Sequence, residues 1–109
     1  MHLEFWRARG GSSDIEEFMV GLDDAQKDKL GLGFAVLDKH GLHLALISQL
    51  VKLVHKDRPK VYELRSGNIR VLFGIHNGVY WLLDGFRKKS RQTPPNRLKK
   101  AVGRIQSII

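Results

Sequence analysis

The sequence predicts an α+β domain in which helices cover a small, mainly antiparallel four-stranded sheet. Three observations carry that expectation. The apolar-rich runs follow the order strand, helix, helix, three strands, helix. Asn77-Gly78 stands between two strand-like runs, the strongest short hairpin signal. Leu98, Ala101, Val102, Ile105 and Ile108 then form a stripe at helical spacing. A chain of 109 residues has room for one core, so residues 1–109 are expected to form a single domain.

Leu3 to Arg7 alternates as a short strand closed by Gly10-Gly11. Ser13 with Glu16 has the spacing of a helix-capping box, and Ile15, Phe18, Met19 and Leu22 share a face beyond it. Asp23 or Asp24 caps a second helix with a buried stripe of Leu30, Phe34 and Leu37 and a stop at Gly41. Residues 42–56 fit a short helix or an extended connection, because Ile47, Leu50, Val51 and Val54 have helical spacing in a run rich in strand formers. Val61–Arg65, Ile69–Ile75 and Val79–Phe86 read as a meander with turns at Gly67-Asn68 and Asn77-Gly78. Thr93 is the expected N-cap of the last helix, with Pro94 at its first position.

Composition narrows the chemistry. No cysteine is present, which excludes thiolate nucleophiles, disulfides and cysteine-held metals. No apolar run approaches the ~20 residues of a membrane span and the N-terminus lacks a secretory pattern, so a cytoplasmic location is expected. Lys and Arg number 19 against 11 Asp and Glu, a net +8. Residues 1–57 hold 7 cations and 9 anions, net −2, and residues 58–109 hold 12 and 2, net +10. A surplus confined to one half points to one basic face and a polyanionic partner.

A two-residue turn at Gly67-Asn68 sets Arg65 opposite Arg70 on one face of the sheet, with Tyr62, Leu64, Val71 and Phe73 on the other as core. Like charges opposed across a ladder repel, so the pair reads either as a seat for an anion or as two solvated arginines. Gly85-Phe86-Arg87-Lys88-Lys89-Ser90-Arg91 crowds four cations where a strand meets a loop. Such a cluster can bracket phosphates, and Phe86 either stacks on a base or belongs to the core. Arg97, Lys99, Lys100 and Arg104 line the polar side of the last helix as a diffuse positive field. His2, His40, His43, His55 and His76 form no ligand cluster by spacing, and no metal or other cofactor is expected. No phosphate loop, metalloprotease helix or serine-nucleophile elbow occurs.

Val61-Tyr62-Glu63-Leu64-Arg65, Arg70-Val71-Leu72-Phe73, Gly85-Phe86-Arg87-Lys88-Lys89-Ser90 and Thr93-Pro94 together resemble the phage-derived HigB-like branch of the RelE/ParE toxin superfamily. The likeness spans nearly the whole chain and departs from the family pattern at Val54–Lys60. It implies the toxin of a type II toxin–antitoxin pair, an mRNA endoribonuclease acting at the ribosome and neutralised by a helix-turn-helix antitoxin. Carried over by motif, Arg65, Arg70, Lys88 and Lys89 are the expected catalytic cations. Phe86, Arg87, Arg91, Arg97, Lys99 and Lys100 are the expected RNA contacts. A ParE-like inhibitor of DNA gyrase and a non-catalytic nucleic-acid-binding module are the rival readings.

Overall fold

The computed structural model describes residues 1–109. Its elements are β1 (His2–Phe5), α1 (Asp14–Val20), α2 (Asp24–Ile47), β2 (Val51–His55), β3 (Val61–Ser66), β4 (Ile69–His76), β5 (Val79–Arg87) and α3 (Pro95–Ile108). The sheet has five strands in the order β1-β5-β4-β3-β2, and β1 lies parallel to β5. This corrects the expected four-stranded sheet in two respects. The ambiguous stretch divides into the end of α2 and the edge strand β2, and the parallel β1 makes the sheet mixed.

Local chemistry accounts for most element ends. Ser13 caps α1, its Oγ accepting the Glu16 amide at 3.2 Å. Asp23 caps α2 through a full capping box, accepting the Gln26 amide at 2.7 Å while the Gln26 side chain accepts the Asp23 amide. Gly41 breaks α2 where the sequence expected its stop, and a second, short helical stretch follows. Its backbone (φ 85, ψ 167) is non-helical, and the stretch beyond it, counted with α2, ends at Ile47. By length and composition alone α2 could cross a membrane, contrary to the expectation that no segment would; here Leu30, Phe34, Leu37 and Ala45 pack it against the sheet. Asn77 and Gly78 both take positive φ, the requirement of the tight turn between β4 and β5. Thr93 is not the cap of α3. Pro94 holds that position without a side-chain bond, and Pro95 begins the helix.

The sheet carries a core on each face. Ile15, Leu22, Leu30, Phe34, Leu37, Leu64, Val71, Phe73 and Leu82 fill the space beneath α1 and α2. Val61, Leu72, Leu83 and Phe86 meet Ala101 and Ile105 of α3 on the other face. Between β4 and β5 the register slips: Phe73 pairs with Leu82 but Leu72 pairs with Asp84, leaving Leu83 bulged. The extra residue turns Asp84 and Phe86 onto the α3 face. Past the end of β1 the Leu83 carbonyl accepts Arg104 Nη1 at 2.7 Å.

Gly85 lies where α1 crosses β5. A Cβ there would stand 2.6 Å from Ile15 Cδ1 and Phe18 Cδ2, so any side chain obliges these two core side chains to shift. Gly85→Ala is expected to lower stability by about 1–3 kcal/mol. Urea unfolding should show a reduced midpoint with an unchanged slope.

Candidate functional site

Period-two alternation puts Val61, Glu63 and Arg65 of β3 on the α3 face. The register continues this pattern across the sheet. Arg65 pairs with Arg70 and Arg70 with Phe86; one row inward, Glu63 pairs with Leu72 and Leu72 with Asp84. The α3 face therefore ends in two rows, one of Arg65, Arg70 and Phe86, the other of Glu63, Leu72 and Asp84. Arg65 does stand opposite Arg70, with Tyr62, Leu64, Val71 and Phe73 on the far face.

The anion between the two arginines is the protein's own. Glu63, with its side chain 5% exposed, accepts Arg65 Nε at 3.4 Å through Oε1, and the same oxygen lies 3.7 Å from Arg70 Nε. Its Oε2 accepts the Thr93 hydroxyl at 2.7 Å. The two arginines are not equivalent. Arg70 is buried, and its Nη1 donates to the carbonyls of Gly67 at 2.8 Å and Ile69 at 3.0 Å. Burial pulls its guanidinium below the ordinary value, Glu63 opposes that shift and Arg65 adds to it. Arg65 is half-buried, and with Nε held by Glu63 its two Nη groups make no hydrogen bond within the protein. Of the pair, Arg65 has donors free for a ligand.

Lys88, Lys89 and Arg91 are exposed and make no ion pair, and Lys88 begins beside the β3–β4 turn, where its amide donates to Asn68 O at 2.6 Å. Arg87 is exposed with its guanidinium 5.9 Å from the Phe18 ring centroid. Lys29 of α2 reaches the same turn, since a Cβ on Gly67 would stand 3.3 Å from its Nζ. It belongs to the acidic half of the chain, where charge arithmetic gave no sign of it. Next to this cluster lies a cleft of about 360 Å³ between Phe18, Arg87 and Lys89 on one side and Asn96 and Arg97 on the other. A larger hollow of about 440 Å³, around Arg58, Tyr62 and His76, is at the opposite end of β3 and β4.

Other expected RNA contacts are engaged elsewhere. Phe86 is 6% exposed and packed in the α3 core, with the Arg97 guanidinium 5.5 Å from its ring centroid, so it is a core residue rather than a platform for a base. Arg97 donates to both oxygens of the buried Asp84, at 3.2 and 3.3 Å. Lys100 lies 3.4 Å from Asp84 and 3.5 Å from Asp14, and Arg104 holds Asp14 with two bonds of 2.8 Å. Among the α3 cations, Lys99 alone is exposed and unpaired. Glu63 and Asp84, the acids that organise the face, were hidden in the sequence as ordinary strand residues.

Comparison with known families puts the chain in the RelE/ParE-like toxin superfamily of toxin–antitoxin systems. Residues 17–106 match the family described as phage derived protein Gp49-like (DUF891), and the chain belongs to that family. Membership makes it a toxin-like module and suggests an antitoxin as its partner. No curated protein matches it.

Two measurements follow from these ion pairs. Arg70→Ala removes a buried cation from Glu63 and the donor from the Gly67 and Ile69 carbonyls and should cost about 3 kcal/mol, whereas Arg65→Ala, at the more exposed position, should cost about 1 kcal/mol or less. Equal losses on chemical unfolding would contradict that division. Bonds from Arg104 hold the Asp14 carboxyl below its ordinary value, helped by the charges of Arg104 and Lys100 and opposed by burial. A depressed folded value stabilises the protein above the ordinary aspartate pKa and is lost as pH falls through the folded one. Asp14→Asn should therefore be less stable than wild type by up to roughly 1 kcal/mol at pH 7, and the gap should close below about pH 4.

Proposed function

We propose that the protein is a HigB-like toxin of a type II toxin–antitoxin pair, an endoribonuclease that cuts translated mRNA at the ribosome in the cytoplasm. A helix-turn-helix antitoxin is the partner that restrains it. The observation that carries this reading is Arg65: a buried carboxylate holds its Nε, its remaining donors are free, and the exposed Lys88–Arg91 segment starts at the adjacent turn.

This arrangement suits cleavage by the RNA's own 2′-hydroxyl. The 2′ oxygen gives up its proton and attacks the adjacent phosphorus, the bond to the 5′ oxygen breaks, and that oxygen leaves with a proton. The products are a 2′,3′-cyclic phosphate and a 5′-hydroxyl. Negative charge grows on the phosphoryl oxygens in the transition state, where fixed cations stabilise it. Arg65 binds those oxygens through its planar fork, and Lys88 and Lys89 add point charges from the strand end. Arg70 acts from beneath by fixing the turn and sharing Glu63. Arg87, Arg91 and Lys99 hold the neighbouring backbone, whereas Arg97 and Lys100 serve mainly to anchor α3.

Controlled expression followed by mapping of mRNA 5′ ends, with and without ribosome association, tests the reading. New 5′-hydroxyl ends within translated messages are expected, unaffected by chelators in a purified reaction. Arg65→Ala should lower the rate about 100-fold at saturating RNA, and Lys88→Ala or Lys89→Ala should also show a rate defect that saturation does not rescue. Lys99→Ala should weaken binding chiefly and reduce its salt dependence by about one unit of slope. Intact messages with loss of gyrase supercoiling would replace this reading with the ParE-like one.

A further inference from the structure

The exposed segment between β5 and α3 carries three unpaired cations, Lys88, Lys89 and Arg91, whose mutual repulsion favours spreading them apart. Two contacts fix it to the sheet. At one end the Lys88 amide donates to Asn68 O at 2.6 Å, and at the other the Thr93 hydroxyl donates to Glu63 Oε2 at 2.7 Å. The Ser90 hydroxyl bonds to Gln92 O and so stays within the segment.

The Thr93 bond is unusual for its place in the chain. A threonine just ahead of a helix commonly caps it, yet α3 has no side-chain cap and Thr93 turns to a carboxylate thirty residues earlier in sequence. That carboxylate is buried, which strengthens a charge-assisted bond. Its other oxygen holds Arg65 Nε. One carboxylate thus grips the free arginine with one oxygen and the end of the lysine segment with the other.

We infer that Glu63 and Thr93 form a latch that fixes the lysine segment relative to Arg65, making both of them positioning residues for phosphodiester cleavage. The inference rests on the nuclease reading for its consequence and on the hydrogen-bond geometry for its existence. Neither residue touches the RNA. Thr93 restrains the segment that carries Lys88 and Lys89, and Glu63 orients the guanidinium they work with.

Thr93→Val keeps the shape and loses the donor, and Thr93→Ser keeps the donor. In the valine variant kcat should fall by about tenfold or more with KM changed by less than about threefold, and serine should restore kcat to near wild type. Exchange of the Lys88 amide should accelerate by about tenfold in the valine variant, with the β4 amides of Val71 and Phe73 unchanged. Unaltered kcat in the valine variant, or equal losses in valine and serine, would overturn the latch. A wild-type protein that cuts no RNA would sink the nuclease reading instead, and the Lys88 amide would then decide the latch: accelerated exchange supports it and unchanged exchange overturns it. Thr93→Ala replaces Thr93→Val if the latter does not fold.

Discussion

The α3 face of the sheet is governed by the need to neutralise two carboxylates that the strand register places out of water. An isolated buried carboxylate costs several kcal/mol unless it is paired and hydrogen-bonded. Glu63 meets the requirement with Arg65, Arg70 and Thr93, and Asp84 meets it with Arg97 and Lys100. These partners come from β3, β4, α3 and the segment ahead of α3, so satisfying the acids also fixes where those elements sit. The other face needs no such device. Twelve buried apolar residues cluster under α1 and α2 against six under α3, and the thinner layer is the one supplemented by ion pairs.

The same pairing reshapes the meaning of the net charge. A surplus counted along the chain treats every cation as available, but Arg97, Lys100 and Arg104 are tied to acids and Arg104 also lies 3.9 Å over the Trp6 ring. Lys88, Lys89 and Arg91, without an acid partner, cluster where β5 leaves the sheet, and Lys29 joins them from the acidic half of the sequence. That end concentrates several unpaired cations in front of the salt bridges of α3, while Lys52, Lys56, Arg58 and Lys60 carry unpaired charge elsewhere on the surface.

Features set by neighbouring residues were legible in the sequence. The glycine-containing turns fixed the pairing of Arg65 with Arg70, and the stripe from Leu98 to Ile108 marked α3. Features set by distant partners were not. Val51–His55 has apolar residues compatible with helix or strand, and pairing with β3 decides the matter. Leu3–Arg7 gave the presence of β1 approximately, shifted in the structure to His2–Phe5, but no local pattern announces a parallel neighbour. The bulge at Leu83 reverses the alternation that a simple strand would show, so the inward aim of Asp84 and Phe86 could not be counted off. Thr93 satisfied the rule for a helix cap, and a buried carboxylate claimed its hydroxyl instead.

The position of β1 has a consequence for how the chain reaches this structure. His2 pairs with Val79, so β1 has a partner only once β5, more than seventy residues later in the chain, is in place. Closing so long a loop is entropically costly, and contacts of that separation form late in folding. Until then the outer side of β5 from Val79 to Leu82 is an open edge beside Tyr80 and Trp81, able to pair with another chain. β1 therefore covers the long edge of β5 and leaves in its place a short, four-residue edge strand, which offers another chain much less to pair with.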